Sequence, residues 1–394
     1  MQKTSILIIL IISVNNICFG QFGNISNLYN KKIVAFGEAS HGDKGVYIAR
    51  EKLITEIINS GYDSTINILV EMPQSVYYDI SNYNTGKIGV QELLTNIAYF
   101  GLQTDSFLEL IDLYKDNKKI NFYGVDMHNS TNSVLKMKKI IDSVIPVKSG
   151  DLINSFNNLS SDFYNKYKTT SNIDSLKTIF TISYNEIVNF IERNSITLKS
   201  NTNFTFDILF PLKMINQCYN YYYLMIKDDY KSVVFRDSCM ASNACFVEQS
   251  TKGLCLFFNA NHHLLKVQNR TGYYLDHEYK GDYFVIIHQF SSGDILTNTS
   301  TTGKFELKKV HFESFDKSLT TKLKKMRNCN YLSYSDSKSN LEKRIFKKKT
   351  YVVDIGGSIV LDNIYANYSY VTPYKAFDAI YFDLNTEAST YILK

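Results

Sequence analysis

Four apolar residues, Ile33-Val34-Ala35-Phe36, run straight into Gly37-Glu38-Ala39-Ser40-His41-Gly42. A short unbroken apolar run bounded by glycine is the pattern of a strand buried on both faces, and such strands belong mostly to parallel sheets. Ligands of parallel sheets sit in the crevice beyond the carboxyl ends of the strands. Glu38, Ser40 and His41 leave the strand at that end. This stretch therefore asks for an α/β fold, with partners for His41 arriving from later strands.

The chain repeats the pattern. Val46 to Ser60 carries apolar residues at helical spacing, and Gly61 suits the position after a helix end. Ile66 to Val70 is a second apolar run, ending in Glu71, so strand–helix–strand connectivity predicts two parallel strands. Residues 75–116 read as mostly helical. Ile120 to Val125 is a third run, ending in Asp126 and followed by His128 and Asn129. Residues 130–235 are rich in Asn, Ser, Lys and Tyr with helical periodicity, and read as a helical segment inserted between strands, a possible cover for the sheet edge. Gly253 to Asn259, followed by Ala260-Asn261-His262-His263, gives a fourth strand, Asp282 to Phe290 a fifth, and residues 351–354 and 377–383 short β-like runs. The fold class expected is α/β, with a largely parallel central sheet flanked by helices. No internal repeat or linker divides residues 21–394, so one domain is the economical organisation.

Composition excludes several classes. Lys3, the apolar stretch Ile6 to Val14 and the small residues at Cys18 and Gly20 form a secretory signal over residues 1–20, which implies a secreted or periplasmic protein. A lipoprotein anchor at Cys18 is the rival reading, which Asn16 and Ile17 fit poorly, and a short N-terminal membrane anchor is another. No later stretch is long and apolar enough to span a membrane. Loss of Lys3 takes the net charge from +5 to +4, too little and too dispersed to imply a nucleic-acid partner. The Lys-rich stretch 342–349 reads as a solvated face. Cys218, Cys239, Cys245, Cys255 and Cys329 are odd in number and lack a CxxC pair, which argues against a disulfide framework or a zinc knuckle.

The chemistry gathers at the strand ends. His41 is the natural general base, since an imidazole titrates near neutrality and works best with a neighbouring acid to hold its tautomer. Glu38 can reach it across the turn, and Glu71 and Asp126 are further choices. Arg50 lies about two helical turns into the next helix, placed to fix a carboxylate or stabilise an oxyanion. A rival metal site could draw on Glu38, His41, Glu71, Asp126 and His262 or His263, although no recognised ligand spacing is present. Ser40 lacks the GxSxG elbow of a nucleophile and reads as a turn residue, and Cys255 as an inert core thiol. His288 reads as a core residue of its strand, and His277 and His311 as surface residues. Arg236-Asp237 could be a helix-surface pair.

These residues, taken together, resemble the erythromycin esterase family. The resemblance begins at Gly37-Glu38-Ala39-Ser40-His41-Gly42 and continues through Arg50, Val70-Glu71 and Gly124-Val125-Asp126. Its most specific piece is Arg236-Asp237-Ser238-Cys239-Met240-Ala241-Ser242-Asn243, similar to the family's RDxxMAxN segment. Asn261 and His263 are similar to the end of its HNxH segment, and Gly281-Asp282-Tyr283 and Phe377-Asp378-Ala379-Ile380 also match in order. The resemblance implies an α/β fold and metal-independent, cofactor-free hydrolysis of a cyclic ester, with water activated by His41. Glu38, Glu71, Arg50 and His263 carry over as catalytic residues, and Asp126, His128, Arg236, Asp237, Asn261 and His262 stand around them as substrate-binding or supporting residues. Two positions depart from the pattern: Ala260 stands where the family often has the first histidine of HNxH, and Gly45 replaces an acidic residue. Three readings follow: an esterase acting on a small-molecule ester or lactone, macrolide inactivation included; a metal-dependent hydrolase using the same groups; and a relative that binds a small ligand without turning it over.

Overall fold

The structure is a computed structural model that describes residues 22–392, apart from residues 24, 98–101, 302–303 and 327–329. Residues 1–20, on which the expected secretory signal falls, with Cys18, and Cys329 lie outside the described residues. Among the described residues, Cys218, Cys239, Cys245 and Cys255 are free thiols, and no helix is long and apolar enough to cross a membrane.

A mostly parallel sheet forms the centre. Its strands are β1 (Ile33–Glu38), β2 (Ile66–Val70), β3 (Ile120–Gly124), β4 (Leu254–Ala260), β5 (Tyr283–Thr301), β6 (Lys304–Glu313), β7 (Tyr331–Ser333), β9 (Ser358–Ile359) and β11 (Ala379–Thr386), in the path β3-β2-β4-β1-β5-β11-β7 with β6 and β9 paired to β5. β1 runs parallel to both β4 and β5, and β2 parallel to both β3 and β4. β8 (Thr350–Val353) and β10 (Tyr368–Val371) make a separate antiparallel pair.

β1 is wholly buried because helices cover both faces of the sheet. Val34 and Phe36 point into one apolar cluster, together with the helices Lys44–Asn59, Ser75–Asn84, Val90–Ile97 and Asp105–Tyr114. Ile33 and Ala35 point into the other, built largely from the helices between β3 and β4. Alternation of side chains along a strand sends successive apolar residues to opposite faces, so a strand covered on both sides must read as an unbroken apolar run. Burial of Phe36, fully sequestered, contributes on the order of 2 kcal/mol.

The helical insertion is present and longer than expected. Helices Thr131–Val144, Gly150–Leu159, Phe163–Thr169, Ile173–Arg193, Ser195–Asn201, Phe210–Lys227 and Asp229–Ser250 fill the connection from β3 to β4. β1 and β2 run parallel, as expected, with β4 between them, so Glu71 and Glu38 end strands that are not adjacent. The fifth strand also runs past Phe290 to Thr301 and folds back as an antiparallel hairpin with β6.

That extension matters because Leu296 of β5, with the loop after β8 and the segment after β11, grips the turn after β1. Ile355 N–H and Gly356 N–H donate to the Ala39 carbonyl at 2.7 and 3.0 Å, and His41 N–H donates to the Gly356 carbonyl at 3.1 Å. The Gly42 carbonyl accepts from Leu296 N–H of β5 at 3.2 Å and from Ser389 N–H at 3.0 Å. Asp43 then caps the helix Lys44–Asn59, its carboxylate accepting from Gly45 N–H at 2.9 Å, and Gly61 (φ 87°) follows the helix end in the left-handed region, as expected.

A Cβ at Gly42 would sit 1.9 Å from the Leu296 carbonyl oxygen, a backbone atom that cannot move aside without breaking the hairpin. Gly42→Ala is expected to destabilise the protein by about 3 kcal/mol, read as a lowered urea midpoint. Gly89→Ala, where a Cβ meets nothing within 4 Å, should stay within about 0.5 kcal/mol of wild type. Equal midpoints for the two variants would contradict the clamp.

Candidate active site

Glu38 is the last residue of β1, and two cations converge on it. Its Oε1 lies 2.5 Å from His41 Nδ1, and its Oε2 accepts from Arg50 Nη1 at 2.8 Å. All three side chains are buried. Burial alone would push the Glu38 carboxyl up, but the Arg50 guanidinium and the His41 imidazole bring it down to about 2. Burial likewise opposes a charged imidazole at His41, yet Glu38, and after it Glu71, hold its pKa above the usual histidine value. With Nδ1 committed to Glu38, Nε2 is the nitrogen placed to take a proton.

Arg50 has a narrower role than an oxyanion contact. Its second terminal nitrogen donates to the Phe36 carbonyl at 3.0 Å, and its guanidinium lies over the Phe258 ring at 4.7 Å. Arg50 is 2% exposed. It anchors Glu38 and supports His41 through it, the carboxylate-fixing role of the two its position allows.

Glu71 follows β2 and forms the opposite wall. Arg236, in the long helix Asp229–Ser250, donates from Nη2 to Glu71 Oε1 and to Asp126 Oδ2, both at 2.6 Å. Burial would raise both carboxyls; for Glu71 the countering groups are His263, Arg236 and His41, and for Asp126 chiefly Arg236, so both end below their usual values. Asp237, the next residue, turns the other way. It accepts from Thr271 N–H at 2.8 Å and from the Thr271 hydroxyl at 2.7 Å, and holds His263 Nδ1 at 2.8 Å. Against its burial, His263 and Thr271 lower its carboxyl to about 2. The Arg236-Asp237 dipeptide is therefore no surface pair: its two side chains anchor two different walls of the site. His263 Nε2 points back to Glu71 Oε1 at 3.6 Å, so this imidazole stands between two carboxylates.

The remaining expected residues fall around this core. Asn261 is wholly buried and donates to the His288 carbonyl at 3.0 Å and the Val353 carbonyl at 3.2 Å, tying β5 to β8 beneath the site. His262 packs against His263 with ring centres 3.9 Å apart and pairs with Asp354 at 3.2 Å. Burial, and then His263, lower its pKa. His128 rests against Tyr221 and Tyr222 of the insertion, its backbone N–H donating to Asp126 at 3.2 Å, and burial lowers its pKa. Ala260 is sealed in β4, in register with Glu38. Ser40 is fully buried, consistent with a turn residue, and burial pushes the Cys255 thiol up to about 12.

Two concavities meet at Glu71. One is lined by Glu38, His41, Tyr47, Arg50 and apolar side chains including Phe107 and Phe258. The other, of about 50 Å³, is lined by Asn96, Asp126, His128, Asn129, Asn132 and Arg236, with Pro73 and Ile97 adding apolar surface. Among the described residues no group of three His, Cys, Asp or Glu side chains is arranged to hold a metal ion.

A third buried imidazole, His288, is the core residue its strand position implies, but it has two carboxylate partners that its sequence neighbours do not signal. His288 of β5 lies 2.9 Å from Asp43 Oδ2 and 2.9 Å from Asp383 Oδ2. Its strand position suggested a satisfied core histidine; the turn after β1 and the C-terminal strand β11 bring the two aspartates to it. His311, read as a lone surface residue, pairs with Asp294 at 2.9 Å across the hairpin of β5 and β6.

A family model described as erythromycin esterase matches residues 89–384. Among solved structures, the crystal structure of a Bacillus cereus protein superposes with a TM-score of 0.77 at 16% identity, over 94% of this chain and 93% of that one. A succinoglycan biosynthesis protein gives 0.73 at 18% identity, over 95% and 94%. A mutant of the erythromycin esterase EreC in its open conformation gives 0.66 at 14% identity, over 93% and 94%. At these identities the likeness is one of fold. No curated protein sequence matches the chain.

Loss of Arg236 leaves Glu71 and Asp126 as buried carboxylates without their cation. Both titrate below their unfolded values of 4.5 and 3.8, so the stability they contribute is present above those values and is lost as the pH falls. Arg236→Gln is expected to cost about 3 kcal/mol at pH 7, with the deficit shrinking once both carboxyls can protonate, below about pH 4. Urea midpoints at the two pH values check this; no deficit at pH 7 contradicts it.

Proposed function

The chain belongs to the erythromycin esterase family, and we propose that it hydrolyses a carboxylic ester or lactone using water activated by His41. The observation that carries the reading is the buried Glu38–His41 contact of 2.5 Å with Arg50 behind it. Such an arrangement fixes the imidazole in one orientation and stabilises the imidazolium that forms when the base takes a proton.

In the reaction so drawn, His41 Nε2 removes a proton from water as its oxygen bonds to the ester carbonyl carbon. The carbonyl electrons move to oxygen and return as the C–O bond to the alcohol breaks. The leaving alkoxide takes the proton held by the His41 imidazolium, which restores the base, and the carboxylic acid formed releases its own proton to solvent as a carboxylate. His263, braced by Asp237 and facing Glu71 at 3.6 Å, is the donor assigned to the developing charge or the leaving oxygen. Glu71 and Arg236 hold the wall on which the substrate rests. The polar concavity with Asn96, Asn129, Asn132 and His128 suits the oxygen-rich part of a substrate. A macrolactone is one member of that class, and inactivation of a macrolide is the corresponding biological proposal.

A second reading is a relative that binds such a molecule without turnover. It is favoured by Ala260, sealed where the family pattern often has an imidazole.

A panel of lactones and aryl esters, assayed with and without chelator, separates these readings. The hydrolase reading expects turnover that survives chelation and falls about 10³-fold in His41→Ala. Equal activity of wild type and His41→Ala overturns it. Loss of activity with chelator, regained with added metal, supports the metal-dependent alternative, and saturable binding without turnover supports the binding protein.

A further inference from the structure

The Glu38–His41 turn is gripped by backbone hydrogen bonds on one side and by a buried ionic cluster on the other. His288 is fully buried in β5, one residue past Ile287, which pairs with Gly37. Its Nδ1 lies 2.9 Å from Asp43 Oδ2 and its Nε2 2.9 Å from Asp383 Oδ2. Asp43 is itself 0% exposed, two residues beyond His41, and caps the helix that carries Arg50. Its other oxygen accepts from Gly45 N–H and from the Thr386 hydroxyl of β11. Lys44 N–H donates to the Glu387 carbonyl at 2.8 Å, just past the end of β11.

One histidine thus joins three elements: the turn after β1, the middle of β5, and the C-terminal strand. Burying an imidazole between two carboxylates is costly unless each charge is met, and a buried cluster left with one partner missing is strongly destabilised. Nothing in the proposed chemistry uses His288. Its place is instead one ionic contact away from the cap that sets both where His41 leaves β1 and where Arg50 enters its helix.

We infer that His288 is a positioning residue for the Glu38–His41 pair, acting through Asp43 and anchored by Asp383. The inference rests on the reading of His41 as the base, and adds the group that holds the base in register. The groups facing His288 are Asp43 from the turn, Asp383 and the Tyr381 ring from β11, and Phe290 from its own strand. Burial pushes the Tyr381 hydroxyl up to about 12, so this ring stays neutral. Although burial opposes it, the two aspartates raise the His288 pKa to about 9, which keeps the cluster intact through the neutral range.

Two effects of removing His288 have opposite signs at His41. Loss of a nearby cation alone would raise the His41 pKa. Loss of position, which lengthens the Glu38–His41 bond, would lower it toward the value that burial imposes. Seven histidines are few enough for ring-labelled NMR with assignment by single substitution. The experiment titrates wild type, His288→Gln and Asp383→Asn, with circular dichroism as the check on folding. The inference expects the downfield Nδ1 proton of His41 to broaden or shift and the His41 midpoint to fall in both variants, less in Asp383→Asn, while exposed His277 is unmoved. A His41 midpoint that rises or stays at the wild-type value in a folded variant overturns it. Should His288→Gln fail to fold, Asp383→Asn decides by the same criterion. Where wild type hydrolyses p-nitrophenyl acetate, kcat in His288→Gln should drop about 10–100-fold with KM within about twofold. If wild type hydrolyses no ester offered, the hydrolase reading fails, and the NMR titration still decides whether His288 positions His41.

Discussion

The carboxylate of Glu38, shared between His41 and Arg50, is the contact on which the rest of the site depends. It lies at the end of a strand covered on both faces, where solvent cannot stabilise a lone charge. Each partner therefore needs the others: without Arg50 the carboxylate would be driven toward its neutral form, and without the carboxylate burial would discharge the imidazole. The parallel sheet provides the setting by exposing strand ends on one edge, and Leu296 of β5, the loop after β8 and the segment after β11 close that edge around the turn.

The opposite wall repeats the arrangement with different residues. Arg236 ties Glu71 to Asp126, the carboxylates ending two neighbouring strands, and Asp237 braces His263 from beneath. Consecutive positions on a helix point about 100° apart, so a single Arg-Asp pair can serve two separate clusters. The helical insertion is therefore more than a cover. Its last helix supplies the cation and the brace without which the buried acids of β2 and β3 would not stay ionised.

Much of this was legible in the sequence because buried parallel strands announce themselves. The runs ending at Glu38, Glu71, Asp126 and Ala260 marked the edge on which the chemistry gathers. What stayed hidden has physical reasons. The second half of β5, Ser291 to Thr301, is rich in Ser and Thr and pairs with a polar partner strand, so no apolar run marks it. The insertion of β4 between β1 and β2 is a long-range event that local periodicity does not encode. His288 looked like an ordinary core histidine because its partners come from the far ends of the chain, Asp383 lying 95 residues away. Arg50 was legible as a site residue, but whether it met substrate or Glu38 depended on a side-chain direction that spacing alone leaves open.

The central claim is that Glu38 tunes His41 to act as a base, and the pH dependence of ester hydrolysis tests it most directly. A base must be neutral to accept a proton, so activity should rise through the His41 pKa, and Glu38 sets that pKa above the usual 6.5. With Glu38→Gln, burial and Arg50 remain while the raising charge is gone. The acid limb of kcat/KM should then move to lower pH, with a reduced plateau. An acid limb that keeps its wild-type position in Glu38→Gln would contradict the account.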